Sequence, residues 1–267
     1  MRRISILFAC WLAALALSAQ VKDPELDVQA LRIEQADLID QLMLTVEGIG
    51  SNSRALLEQQ SIKAHMMPVR KIDQAGTELS YLIASCLEYY VNLDKNYKLN
   101  LSPDFMALNL SQSGKPIDME GAFRFLSEEG TISASVLPYG AHAITTACYN
   151  TPRYRIEKYL WLFREVTMGR QKVYETRKAL TRGNPVLIEL AADPSIRNVG
   201  YGKTIQVNPK GASYPLVVVG FSEEMKAFEV MSCWGSRWAN SGYGWVSYND
   251  FGKAVKNGFV LVPHREN

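Results

Sequence analysis

The residues able to act as nucleophile, base or ligand are few. Histidine occurs three times, at His65, His142 and His264, and cysteine four times, at Cys10, Cys86, Cys148 and Cys233. A cysteine attacks as its thiolate, which a neighbouring imidazolium stabilises. No motif brings a histidine to any of these cysteines. CxxC and clustered Cys/His spacings are also missing, so there is no metal-site signature and no cofactor is expected. Cys86 falls on the inward side of an apolar helical repeat and reads as a core thiol. Cys233 lies in the run SCWGSRWANSGYGW, Ser232 to Trp245, and reads as a small buried residue beside a structural tryptophan. A relocated Cys233/His142 pair is the enzymatic alternative. Ser80 is a candidate hydroxyl nucleophile, but it lacks the Gly-x-Ser-x-Gly elbow and a base.

The elements that must position these residues follow from the patterning. Leu79, Leu82, Ile83, Cys86, Leu87 and Tyr90 recur at three and four residues, the mark of one buried helical face. Asp118 caps a second helix with Met119, Ala122, Phe123 and Leu126 inward and Gly130 closing it. A polar helix is expected over 170–180. Short β-type runs then follow at Pro185–Leu190, Tyr214–Phe221, Ala227–Cys233, Tyr243–Tyr248 and Phe259–Val262, separated by Gly, Asn, Ser and charged turns. Helices first and an antiparallel sheet after them predict an α+β arrangement. The Arg-aromatic pieces Tyr154-Arg155 and Trp161 to Arg164 are placed on a packed amphipathic surface.

The N-terminus reads differently. Arg2 and Arg3 precede an almost wholly apolar run, Ile4 to Leu17, and Leu17-Ser18-Ala19 offers a small-residue cleavage site. This predicts a signal peptide over 1–20. The run is short of the ~20 residues a membrane span needs, and Cys10 lies too early for a lipoprotein cysteine. No later segment has the length to span. Asp23-Pro24-Glu25 is a helix start, and Leu26, Leu31, Leu38, Leu42 and Val46 give a helical stripe that Gly48 and Gly50 end. A shorter helix from Ser53 through Leu56 and Leu57 completes a helical extension over 21–65. Without Arg2 and Arg3 the 29 basic residues fall to 27, equal to the 27 acids. That balance argues against a nucleic-acid or anionic-membrane surface. The three remaining cysteines allow at most one internal disulfide.

Three stretches in order carry a family resemblance: MPVRKIDQAGTELSYLIASCLEYY (Met67 to Tyr90), GASYPLVVVGF (Gly211 to Phe221) and FEVMSCWGSRWANSGYGWVSYNDF (Phe228 to Phe251). Together they resemble the papain-like cysteine peptidases over roughly 66–263. The resemblance implies a helical half (about 66–150) and an antiparallel β-barrel-like half (about 151–263) with a cleft between them. In that family a Gln stands six residues before the nucleophilic Cys; Gln74 fits the oxyanion Gln, and Ser80 occupies the nucleophile position. The family His lies six residues before the Gly of its strand; counting back from Gly220 gives Tyr214. The family Asn precedes Ser-Trp-Gly, and Ser232 stands there. Trp234 and Trp238 are expected in the cleft wall. A tyrosine phenol titrates near pH ~10 and is a poor base at neutrality. With all three reactive positions substituted, the resemblance implies a secreted pseudopeptidase, periplasmic, outer-membrane associated or extracellular. Its cleft would hold a peptide or protein segment uncut, or the domain would be a scaffold in an envelope complex. The alternative is an active peptidase with Ser80 or Cys233 as nucleophile.

Overall fold

The computed structural model describes residues 30–50, 58–111 and 117–265. The predicted leader, Leu26 and the helix expected from Ser53 lie outside the described residues. The chain runs β1 (Arg32–Ile33), α1 (Ala36–Leu42), β2 (Gln59–Ser61), α2 (Glu78–Lys95), α3 (Pro103–Ser111), α4 (Met119–Glu128), β3 (Ile156–Phe163), α5 (Gly169–Thr181), β4 (Val186–Ala192), β5 (Ala212–Ser222), β6 (Ala227–Met231), β7 (Tyr243–Ser247), α6 (Tyr248–Ala254) and β8 (Val255–Pro263).

The strands form one sheet in the order β1-β3-β8-β4-β5-β6-β7, with β2 added along β5. Only β1–β3 is parallel among these pairings. The period of two decides what each face meets. Leu216 and Val218 of β5 share a core with Leu180 of α5 and Phe251 of α6. Val217 and Val219, the alternating residues, share one with Leu82, Ile83 and Leu87 of α2 and Phe123 of α4. Helices therefore cover both faces. This corrects the expected β-barrel-like half: the sheet stays open, because its apolar faces are buried under separate helical layers rather than wrapped around a common interior.

α2 forms where the apolar repeat places it. Its first turn carries Glu78 and its last Lys95, charges of the favourable sign at each end, and Asn96 ends it in the left-handed region at φ 51°. The Asp118 carboxylate accepts from Gly121 N at 2.6 Å, capping α4. β3 was not expected. Its apolar residues fall on both faces, Tyr159 in one core and Leu160 in the other, so the run lacks the alternation that marks a half-exposed strand.

The described parts of the expected helical extension, 30–50 and 58–65, are only partly helical. Helix α1 is seven residues long, and Arg32 and Ile33 pair with Tyr159 and Leu160 instead. Gln59 to Ser61 pair with Ser222 to Gly220. An exposed strand edge offers backbone partners that a helix cannot use. This segment is thus woven into the sheet at two places.

Candidate active-site region

The stretch before α2 is held as a strand-like lead. Ile72 N donates to Cys233 O at 2.9 Å, Gly235 N donates to Arg70 O at 3.1 Å, and Lys71 bridges Trp234. Gly235 (φ +86°) and Gly242 (φ +89°) take backbone conformations that other residues rarely adopt. A Cβ on Gly242 would sit 2.6 Å from Val69, so the 232–242 loop lies hard against the lead. This pairing delivers the 73–77 turn to the sheet. Thr77 Oγ1 donates to Gln74 O at 2.7 Å, and Gly76 N donates to Glu78 Oε2 at 2.7 Å.

Contacts link Tyr214, Trp234, Trp238 and Ser232, and Ser80 is buried in α2. Ser80, in the first turn of α2, is fully buried, and its Oγ has no hydrogen-bond partner. Ser232 is buried; its Oγ donates to Gly242 O at 3.2 Å and accepts from Trp234 N at 3.4 Å. It therefore braces its own loop. Tyr214 lies buried on β5 opposite Leu190, with its ring edge-on to Trp234 at 6.3 Å. Trp234 and Trp238 pack at 5.4 Å, and Trp238 is buried. Trp234 is half-buried. Gln74 alone of the set is exposed.

Two residues that sequence reasoning missed complete the region. Arg197, on the 193–211 connection between β4 and β5, donates from Nε (3.0 Å) and Nη2 (2.8 Å) to Glu78 Oε1. Its guanidinium also stands 4.9 Å over the Tyr214 ring. The connection is anchored by Trp238 Nε1, which donates to Ile196 O at 2.6 Å. Glu78 and Arg197 thus join the start of α2 to Tyr214. Nothing local in the sequence singled out Glu78 or Arg197.

No histidine among the described residues hydrogen-bonds to Ser80, Tyr214, Ser232 or Cys233. Among the described residues, His65, His142 and His264 are all exposed. His142 lines a cavity of about 160 Å³ with Asp73, Gln74 and Asp104. Asp104 accepts from Tyr81 Oη at 3.1 Å and from Gly140 N at 2.9 Å, and burial pushes its carboxyl up from the ordinary range. Burial pushes the Cys233 thiol far up, and Glu78 adds to that push, so it stays protonated. Cys86 behaves likewise through burial alone. Cys86, Cys148 and Cys233 are all free and buried. No group of three or more His, Cys, Asp or Glu side chains could hold a metal among the described residues.

Ser80 yields a direct stability test. A buried hydroxyl without a partner costs about 1–3 kcal/mol in desolvation. Ser80→Ala removes that cost and adds helix propensity, so urea denaturation is expected to show unchanged or higher stability, by up to about 1 kcal/mol. A loss above about 1 kcal/mol would mean that the hydroxyl has a partner.

No protein-family profile matches the sequence, and no curated protein does. Solved structures do. Xylellain, a cysteine protease from Xylella fastidiosa, superimposes with a TM-score of 0.63 at 13% identity, over 80% of this chain and 91% of its own. The bromelain protease from Ananas comosus, solved with the E64 inhibitor, gives 0.61 at 17% identity, over 77% and 98%. A digestive procathepsin L 3 from Tenebrio molitor larval midgut gives 0.63 at 17% identity, over 85% and 78%. The helical layer on α2, the mainly antiparallel sheet and the meeting of the 67–90, 211–221 and 228–251 stretches agree with these matches: the chain has the papain-like cysteine protease fold.

Proposed function

We propose that this protein is an exported, catalytically inactive member of the papain-like architecture that serves as a binding or scaffold module. The observation that carries the reading is that Ser80 is fully buried without a partner while Tyr214 lies buried under the Arg197 guanidinium. A thiol or serine peptidase needs a nucleophile open to the substrate carbonyl and a base within hydrogen-bond reach of it. Here the nucleophile position is a sealed serine, the base position is a tyrosine under a guanidinium, and the orienting position is spent on Gly242. Gln74 and a helix-start amide would remain as an oxyanion-binding remnant. In a serine protease stripped of its triad such a remnant leaves ~10³–10⁴-fold over water, against about 10⁶ lost in turnover.

Burial of these positions favours a scaffold over a peptide holder working through the cleft. Export rests on the basic start and apolar run of 1–20, and the location would be periplasmic, outer-membrane associated or extracellular. No helix among the described residues is long and apolar enough to cross a membrane. The active alternative through Cys233 needs a thiolate, and this thiol is held protonated by burial and by Glu78.

The test is incubation of the purified protein with denatured protein and with dipeptide reporters, with and without reductant. No turnover is expected. Turnover that disappears in Ser80→Ala or Cys233→Ala would overturn the reading.

A further inference from the structure

A groove of about 800 Å³ lies at the C-terminal end of α2, walled by residues 45–47, 90–91, 93–95, 152–155 and 263–265. None of the Ser80, Tyr214 or Ser232 region lines it. Its volume is at the upper end of the range for ligand pockets, ~300–1,000 Å³, enough for a short extended peptide. The floor is apolar and aromatic: Tyr90 is buried, and Val91, Leu93 and Tyr154 are half-buried.

The rim is charged and uncompensated. Lys95, Arg153, Arg155 and Arg265 line it, against the carboxylates of Glu47 and Asp94. None of these six takes part in an ion pair among the described residues. Elsewhere Arg32, Arg70, Arg164, Arg182 and Arg197 each meet a carboxylate. Two of the groove arginines are held by neutral groups. Arg155 Nε donates to Glu128 O at 3.1 Å, and the Arg153 guanidinium stacks 4.5 Å over Phe105, its Nη1 without an acceptor. Neither guanidinium meets a carboxylate in these contacts.

We propose that this groove binds an acidic peptide segment of a partner protein. Four cations against two acids favour a ligand of net negative charge, and the apolar floor suits side chains between the acids. Glu47 and Asp94 on the rim oppose a densely and uniformly charged polyanion, which favours a peptide with spaced carboxylates. The inference goes beyond the non-catalytic reading by giving a scaffold a partner of defined chemistry, and it uses none of the same residues.

The test uses the purified protein and a fluorescein-labelled octapeptide of alternating glutamate and leucine, amidated at its C-terminus, read by anisotropy. Saturable binding is expected. It should weaken at least about tenfold when Lys95→Ala and Arg155→Ala are combined, and it should weaken with salt. The lysine-leucine counterpart should not bind, and the double variant should keep the parent's circular dichroism and melting temperature. Absence of binding, equal binding of the lysine peptide, or affinity unchanged in the double variant would each overturn the proposal. So would binding of heparin in place of the peptide. Peptidase assays on the same sample are independent: an inert protein that ignores the peptide sinks this inference and leaves the non-catalytic reading standing.

Discussion

Arg70→Met is expected to destabilise the protein by about 3–5 kcal/mol at pH 7, the range for removing one partner of a buried ion pair. Glu88 is 1% exposed and Arg70 10%. Arg70 Nη2 donates to both carboxylate oxygens, at 2.7 and 2.6 Å, and Leu101 N donates to Oε2 at 2.6 Å. The pair ties the lead, α2 and the 100–101 segment together. Without the arginine, an ionised Glu88 would keep one backbone donor in an apolar core. The sign of the pH dependence follows from Glu88. Burial already pushes its carboxyl above the ordinary value near 4.5, even though Arg70 and Leu101 pull it down. The folded state therefore holds this proton more tightly than the unfolded state. Stability from this group is highest below the ordinary carboxyl range and falls as pH rises through it toward the raised folded value. Removing Arg70 raises that value further, so the loss in Arg70→Met should be smaller at pH 5 than at pH 7. Urea denaturation at the two pH values measures it. Glu88→Gln added to Arg70→Met should recover part of the loss at pH 7. A loss below about 1 kcal/mol at pH 7 would show that the pair contributes little.

Much of the fold was legible because the signals are local. The repeat from Leu79 to Tyr90 needs one buried face and forms α2. Asp118 followed by Met119, Ala122, Phe123 and Leu126 is a cap with a stripe, and it forms α4. The β runs around Val186, Val217, Val230 and Val246 all lie in strands. β3 was missed because Ile156 to Phe163 is buried on both faces and shows no period of two. The 30–46 stretch was read as helical because Leu31, Leu38 and Leu42 share a helical face. The competing interaction, a free backbone edge on β3, lies more than a hundred residues away in sequence.

The candidate positions were named by counting along the chain; their burial and contacts were not legible there. Counting from Gln74 and Gly220 reached Ser80 and Tyr214, because in the known pattern those offsets are set by one turn and one strand. The Glu78–Arg197 pair is non-local. It depends on how the 193–211 connection folds back onto α2, which no periodicity encodes. The Trp234–Trp238 contact was readable as a Trp-rich run but not as a packed pair.

The closed site is the centre of the account, and position 80 reports on it. Ser80→Cys places a thiol where the side chain is fully buried. A reagent reaches such a group only through local opening. An opening free energy of ~4 kcal/mol slows labelling about 10³-fold relative to an exposed thiol. Adding Tyr214→His and Ser232→Asn supplies an imidazole and its orienting amide, yet position 80 stays buried and burial disfavours the charged thiolate, so no thiolate of low pKa should form. Replacing Arg197 by Ala in the same background removes the guanidinium and should speed labelling. The measurement is the rate of iodoacetamide alkylation at position 80, mapped by mass spectrometry in native buffer and in urea, between pH 5 and pH 9. A site sealed as described gives labelling about 10³-fold slower in native buffer than in urea, accelerated by Arg197→Ala. Labelling of folded Ser80→Cys as fast as a free thiol, or persisting at pH 5 in the triple variant with Arg197 intact, would contradict it and make this an open cleft able to support catalysis.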